Sequence, residues 1–122
     1  MKKDFDNNLP IYIQIIDEIK IMIASGNLKA GDKLPSVRDM AQEFGVNPNT
    51  MQRAFSELER ENLVFAERTS GRFITNDGGV IVELRNILAE KELEKFMEYM
   101  KKIGCTEDEV IEKIKNMSRS EK

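Results

Sequence analysis

The residues best suited to chemistry in this chain are polar side chains on one face of a helix predicted over residues 47–61. They follow Asn49 at offsets of three, four, seven and eleven residues, so they point in roughly the same direction: Gln52, Arg53, Ser56 and Arg60. Amide, hydroxyl and guanidinium groups of this kind hydrogen-bond with the edges of bases and with phosphate oxygens. Taken alone, the face is better interpreted as an ordinary solvated helix surface, and only the neighbouring elements favour nucleic-acid binding.

A shorter helix is predicted directly before this one. Ser36 is a good N-cap and Gly45 ends the apolar run, while Asn47 caps the second helix and Pro48 takes its first position, where a missing N–H costs nothing. Apolar residues recur at helical spacing in both helices: Val37, Met40, Ala41, Phe44, Met51, Ala54, Phe55 and Leu58. A short helix, a tight turn and a helix with a polar outer face are typical of a helix-turn-helix, which places its second helix in a major groove.

A β-hairpin is predicted behind the helix pair. Two short runs, 63–68 and 72–75, are rich in β-branched and aromatic residues and are separated by a polar turn. A hairpin in this position makes a winged helix, and its tip would lie near the DNA backbone or minor groove, with Arg68, Ser70 and Arg72 as candidate contacts. The hairpin could instead simply cover the core.

The first part of the chain predicts a supporting helix from Pro10 to Ser25. Its apolar stripe is broad and rich in isoleucine: Ile11, Tyr12, Ile15, Ile16, Ile19, Met22 and Ile23. Such a face has to be buried against something substantial, and the two helices that follow are the natural partners.

The glycine-rich link 76–79 predicts a boundary between a winged helix-turn-helix domain, residues 1–77, and a helical segment, residues 78–122. One long helix is expected over 80–103 and a second after a capping box of Thr106 and Glu109. The last five residues, 118–122, are expected to be disordered. Two such helices bury too little surface to stand alone, so we expect them to pair with a second copy of the chain or to fold back on the first domain. We favour the dimer, with these residues in the interface: Leu84, Leu88, Leu93, Phe96, Met97, Met100, Ile111 and Ile114.

The composition excludes several classes of protein. The chain has 122 residues, of which 40% are hydrophobic and 34% charged, as in globular proteins. No apolar run approaches the ~20 residues of a membrane span and no signal peptide is apparent, so we expect a cytoplasmic protein with no membrane partner. The chain has no histidine and one cysteine, Cys105, which we interpret as a small apolar residue. We therefore expect no catalytic residues, no metal and no cofactor.

The charge balance is the observation least favourable to nucleic-acid binding. The net charge is −3, and residues 33–72 contain six basic and six acidic side chains. The basic ones can still gather on one face, because Arg38, Arg53, Arg68 and Arg72 lie at the fronts of the two helices and in the hairpin.

These motifs together resemble the N-terminal domain of the GntR family of transcription regulators. The likeness covers about residues 9–75. It is carried by Pro-Ile-Tyr at 10–12, by Gly-x-Leu-x-x-Gly-x-x-Leu-Pro-Ser-x-Arg at 26–38, and by Val-Asn-x-x-Thr at 46–50. The short two-helix tail is similar to that of the YtrA subgroup. This chain has Asn62 and Thr69 where many relatives have glycine, and its wing is less basic.

The resemblance implies a dimeric repressor that binds an inverted-repeat operator in double-stranded DNA, often beside genes for ABC transporters. By position it points to these DNA contacts: Arg38, Asn49, Thr50, Gln52, Arg53 and Gly71. Arg38, Thr50 and Arg53 would chiefly hold phosphates, whereas Asn49 and Gln52 would read bases.

The fold expected from all of this is mainly α (α+β), a winged helix-turn-helix with a small C-terminal two-helix dimerisation hairpin. Two alternatives remain open: a winged helix used for protein contact, and a ligand-gated regulator with a small pocket at the tail, for which no effector can be identified.

Overall fold

The structure is a computed structural model that describes residues 5–120. In chain order its elements are α1 (Ile11–Ala24), α2 (Val37–Phe44), α3 (Pro48–Arg60), β1 (Val64–Glu67), β2 (Gly71–Ile74), α4 (Gly78–Lys102) and α5 (Glu107–Ser120). They form two compact units, a first unit that ends at Arg85 and a second unit that begins at Asn86. The predicted fold, a mainly helical winged helix followed by two C-terminal helices, is confirmed.

The core of the first unit is built on α1, which packs against α3. Ile15, Ile16, Ile19 and Ile23 are all buried, as the apolar stripe predicted. Ile11 is an exception, because it stands at the first position of the helix and is 45% exposed. The N-terminal end of the stripe was therefore predicted wrongly, since apolar periodicity marks a face of the helix and not how far along the helix its packing extends.

The turn between α2 and α3 forms through local hydrogen bonds. The Ser36 hydroxyl accepts the Asp39 N–H at 3.0 Å, and the Asn47 side chain accepts the Asn49 N–H at 2.7 Å. Gly45 ends α2 with a φ of 74°, a left-handed conformation that glycine adopts without strain. Both predicted N-caps are confirmed. They fix where α3 begins and so which of its residues face outward.

The hairpin confirms the predicted wing, with a first strand shorter than the run 63–68 and a second strand shifted by one residue from the run 72–75. β1 and β2 are antiparallel, with Val64 opposite Ile74, and Asn62 precedes them in a left-handed conformation, φ 63°. The segment leading into α2 joins the edge of β2, because the Leu34 N–H donates to the Arg72 carbonyl at 2.8 Å. The wing, residues 64–74, is thus bonded to the chain just before the helix-turn-helix.

The predicted helices after the glycine link are also present. Leu84 is buried in the first unit, and the Arg85 side chain donates to the carbonyl of Ala24 at 3.2 Å, so the first turns of α4 belong to that unit. The capping box is reciprocal: Thr106 N–H donates to the Glu109 carboxylate, and Glu109 N–H donates to the Thr106 hydroxyl. The backbone N–H of Thr106 holds the pKa of Glu109 below its usual value.

The end of α5 corrects one expectation. Residues 118–120, which were expected to be disordered, continue the helix to Ser120, and the Ser120 hydroxyl donates to the Asn116 carbonyl at 2.7 Å. Residues 121–122 lie outside the described part of the chain.

Candidate nucleic-acid interface

Helix α3 presents a polar outer surface, which we call the recognition face: Asn49, Gln52, Arg53 and Ser56, all exposed. Thr50, beside it, is half-buried. The Gln52 side-chain nitrogen donates to the Ser56 hydroxyl at 3.3 Å, one helical turn further on. This bond uses one N–H of the amide, and the side chain is exposed, so its oxygen and second N–H remain available. A glutamine with both groups available can bind an adenine edge at two points.

Arg53 is held by an aromatic ring from α1. Its guanidinium carbon lies 3.8 Å from the centroid of the Tyr12 ring, within the range of a cation–π contact. Tyr12 was predicted only as part of the buried stripe, and nothing local in the sequence associates it with a residue 41 positions later. The contact limits the freedom of the Arg53 side chain while its head stays at the surface.

A groove lies between the start of α2 and the turn of the wing. Its lining includes one acidic residue, Asp39, together with these residues: Lys33, Ser36, Arg38, Ser70, Gly71 and Arg72. Gly71 has a φ of 104°, and a Cβ there would lie 3.2 Å from the Lys33 side chain, so both its backbone conformation and the space favour glycine. The fold thus brings Arg38 together with three of the predicted wing residues, Ser70, Gly71 and Arg72. Lys33, which the sequence did not single out, joins them.

Arg68 and Arg72 differ in their surroundings. Arg68 is exposed, next to the turn of the wing. Arg72 is also on the wing, but its side chain is only 25% exposed and forms an ion pair with Glu59 of α3. Its guanidinium carbon also lies 5.3 Å from the ring centroid of Phe55. Of the candidate contacts, Arg72 is therefore the one whose charge is already occupied by its own chain.

The balance of charges looks different once the pairs are known. Three acidic residues at the C-terminal end of α3, the last of them its C-cap, each have a basic partner: Glu57 with Arg60, Glu59 with Arg72, and Glu61 with Lys20. The hydrogen bond from Arg60 is the main reason why the pKa of Glu57 lies below its usual value.

Four basic side chains, by contrast, form no ion pair with another residue of the described range 5–120: Lys33, Arg38, Arg53 and Arg68. Three acidic side chains of residues 33–72 likewise form no ion pair within the described range: Asp39, Glu43 and Glu67. The unpaired charges of the segment therefore sum to an excess of one positive charge, because Glu61 is paired with Lys20 from outside it.

The second unit exposes large apolar side chains. Leu93, Phe96, Ile111 and Ile114 are 56%, 39%, 44% and 51% exposed. Three more residues of the predicted interface are half-buried: Leu88, Met97 and Met100. Leu84 differs, because only 7% of it is exposed within the first unit. It has almost no surface left for another chain, and we leave it out of the interface proposed below.

Comparison with known proteins decides what kind of protein this is. The model of the family described as bacterial regulatory proteins, gntR family, matches residues 11–74, which include α1, the helix-turn-helix and the wing. The chain belongs to the GntR family. It is a DNA-binding transcription regulator with a winged helix-turn-helix, and regulators of this family are not enzymes.

Two relatives from Bacillus subtilis (strain 168) match beyond the family domain. The chain is 42% identical over 118 residues to the uncharacterized HTH-type transcriptional regulator YhcF, covering 97% of this chain and 98% of YhcF. It is 35% identical over 114 residues to the HTH-type transcriptional repressor YtrA, covering 81% of this chain and 88% of YtrA. The predicted YtrA-like membership is confirmed.

Solved structures agree with the fold. A GntR family transcriptional regulator from Listeria monocytogenes has a TM-score of 0.86 and 39% identity, covering 92% of this chain and 98% of that one. The DNA-binding domain of AraR in complex with operator ORX1 has a TM-score of 0.56 and 25% identity, covering 62% of this chain and 95% of that one.

Over residues 5–120, none of the helices is long and apolar enough to cross a bilayer. The same residues contain no cluster of three acidic or cysteine side chains arranged to hold a metal ion.

Proposed function

We propose that this GntR regulator is a dimeric repressor that binds an inverted-repeat operator and acts by covering promoter DNA. The observation that carries the proposal is the recognition face, an exposed polar ridge on a capped helix, flanked by basic side chains that have no acidic partner among the described residues. YtrA, a relative at 35% identity, carries the name of a repressor. We further infer that the protein is cytoplasmic and has no catalytic activity. Its operator would lie beside ABC-transporter genes, as the YtrA resemblance implies.

The recognition face divides into residues that read bases and residues that position the helix. Asn49 and Gln52 end in amides, which can pair with base edges, and Ser56 orients the Gln52 amide. Arg53 and Thr50 hold phosphates, since a phosphate contact needs only a positive charge or a hydroxyl donor, whereas a base edge is read by a donor and an acceptor together.

The groove between α2 and the wing holds a second part of the DNA backbone. Lys33 and Arg38 supply positive charge in the groove, Asp39 offsets part of it, and Ser70 and Gly71 offer a hydroxyl and a close backbone approach. The exposed Arg68 adds charge next to the turn of the wing. A basic groove of this kind adds affinity without sequence preference.

The dimer follows from the apolar side chains that the second unit exposes. Large apolar side chains exposed in this number often mark a protein–protein contact. A two-fold symmetric dimer would place one α3 helix in each of two successive major grooves, about 34 Å apart, and would require a palindromic operator.

The experiment that tests this function is selection of bound sequences from a random duplex pool, with the wild-type protein and Gln52→Ala. We expect a two-fold symmetric motif for the wild type. The same motif should be relaxed at one position of each half-site for the variant, at a cost of about 1 to 3 kcal/mol for the preferred base. Recovery of an asymmetric motif would exclude the inverted-repeat operator, and recovery of no motif would exclude specific binding.

A salt titration separates the phosphate contacts from base readout. We expect Arg53→Ala to weaken binding to operator and random DNA alike, and to reduce the slope of log K against log salt by about one per subunit. Lys115→Ala removes one positive charge from α5 and should leave that slope unchanged. Equal slopes for Arg53→Ala and wild type would remove Arg53 from the phosphate contacts.

A further inference from the structure

We infer that Arg72 is a positioning residue, which fixes the wing to the recognition helix through Glu59, and not a contact to DNA. The inference rests on the proposed binding of operator by α3 and the wing, because it concerns how those two surfaces are held in register. It assigns the ion pair between Glu59 and Arg72 a function in DNA binding, although neither residue needs to touch DNA.

The side chain of Arg72 is engaged with α3 on two sides. Its Nε pairs with the Glu59 Oε1, and its guanidinium carbon is 5.3 Å from the ring centroid of Phe55, which is fully buried. The side chains of Arg72 and Glu59 are 25% and 32% exposed. Arg72 also lines the groove between α2 and the wing, but a guanidinium placed between a carboxylate and a buried ring has little freedom to turn toward a phosphate there.

The backbone of Arg72 is fixed as well. In β2 it lies opposite Ala66, and its carbonyl accepts the N–H of Leu34, two residues before the Ser36 cap of α2. Arg72 is therefore bonded through its side chain to α3 and through its backbone to the entry of α2. A shift of the wing relative to the helix-turn-helix would have to break one of these connections.

The environment makes this pair more consequential than an ordinary surface pair. Arg60, which pairs with Glu57 within α3, has a side chain that is 74% exposed, and pairs of that kind contribute little because water screens them. The pair of Glu59 and Arg72 is less accessible to water and joins residues 13 positions apart. Loss of one partner would leave a half-buried charge without a counter-ion and release the wing.

The test is a charge exchange across the pair. Arg72→Glu and Glu59→Arg each place like charges side by side, whereas the double variant restores an opposite pair with unchanged net charge. We expect each single variant to bind the selected operator about tenfold more weakly, because only part of the population keeps the wing in place, and the double variant to recover most of that loss. A direct phosphate contact by Arg72 predicts no recovery, since the double variant leaves a carboxylate at position 72.

Neutral variants supply the matched control. Glu59→Gln and Glu61→Gln each remove one negative charge from the end of α3 and break an ion pair between elements, but the pair of Glu61 with Lys20 does not involve the wing. We expect Glu59→Gln to weaken operator binding relative to Glu61→Gln. Tighter binding by Glu59→Gln would instead mean that a released Arg72 reaches DNA, which would overturn the inference.

Hydrogen exchange on the DNA-free protein tests, without any measurement of operator binding, whether the pair of Glu59 and Arg72 holds the wing. In Arg72→Glu we expect faster exchange of wing amides and of the Leu34 N–H, unchanged exchange in α1, and wild-type rates in the double variant. Uniformly faster exchange would indicate general destabilisation, and unchanged wing exchange would show that the pair does not hold the wing; either result refutes the inference. If the wild type fails to select an operator, the proposed function fails, while this measurement still decides whether the pair holds the wing.

Discussion

We expect Phe96→Glu to convert the protein from a dimer to a monomer and to weaken operator binding by about 10²- to 10⁴-fold. Phe96 is 39% exposed within its own chain, so a carboxylate there meets water in the monomer. In the proposed dimer the same position is covered, and a charge buried without a partner is strongly unfavourable. The loss of affinity arises because two half-sites are then bound independently and no longer by one linked pair of domains.

Sedimentation equilibrium and operator titration are the measurements that check this expectation. Asn116→Glu is the matched control, since it adds the same charge to α5 at an exposed polar position outside the apolar set. It should leave both the dimer and operator affinity unchanged. A wild-type protein that is monomeric at micromolar concentration, or a Phe96→Glu variant that remains dimeric, would refute the proposed interface.

The largest expected effect on stability is that of Phe55→Ala, at about 3 to 5 kcal/mol. Phe55 is fully buried in α3, where that helix packs on α1. Truncation leaves a cavity in the core of a small unit and removes the ring beneath Arg72, and a loss of this size is a large part of the stability of a domain. We expect the first unit of the variant to unfold tens of degrees below the wild type.

Thermal unfolding followed by circular dichroism checks this expectation, with Phe65→Ala as the control. Phe65 lies on β1, half-buried and stacked on Phe73 with ring centroids 5.7 Å apart, so its truncation exposes an edge of the wing without opening the core. Its effect on the melting temperature should be clearly smaller. Equal effects of the two truncations would show that the core of the first unit is not centred on α3.

Much of the helix-turn-helix could be predicted because it depends on interactions within a few residues. The Ser36 and Asn47 caps bond to N–H groups three and two positions away, and Gly45 needs only its own conformational freedom. The outward direction of Gln52 and Arg53 follows from the same helical spacing that buries Phe55. All the residues that form these caps and turns lie within a few positions of one another, so the local sequence is enough to predict them. The family resemblance then pointed to DNA contacts that helical spacing alone does not select, such as Gly71.

The sequence by itself thus determined the order of the elements, the beginning and end of the helices around the turn, and the polar face of α3. Only the tertiary structure decided what each charged side chain on that surface contacts. Arg53 lies against Tyr12 of α1, and Arg72 is paired with Glu59. Leu84 is buried in the first unit, whereas the apolar pattern of α4 alone predicted that it lies in the dimer interface. The physical reason is that these contacts join residues far apart in the chain. Their geometry depends on how helices and hairpin pack, which no local hydrogen bond or apolar periodicity encodes.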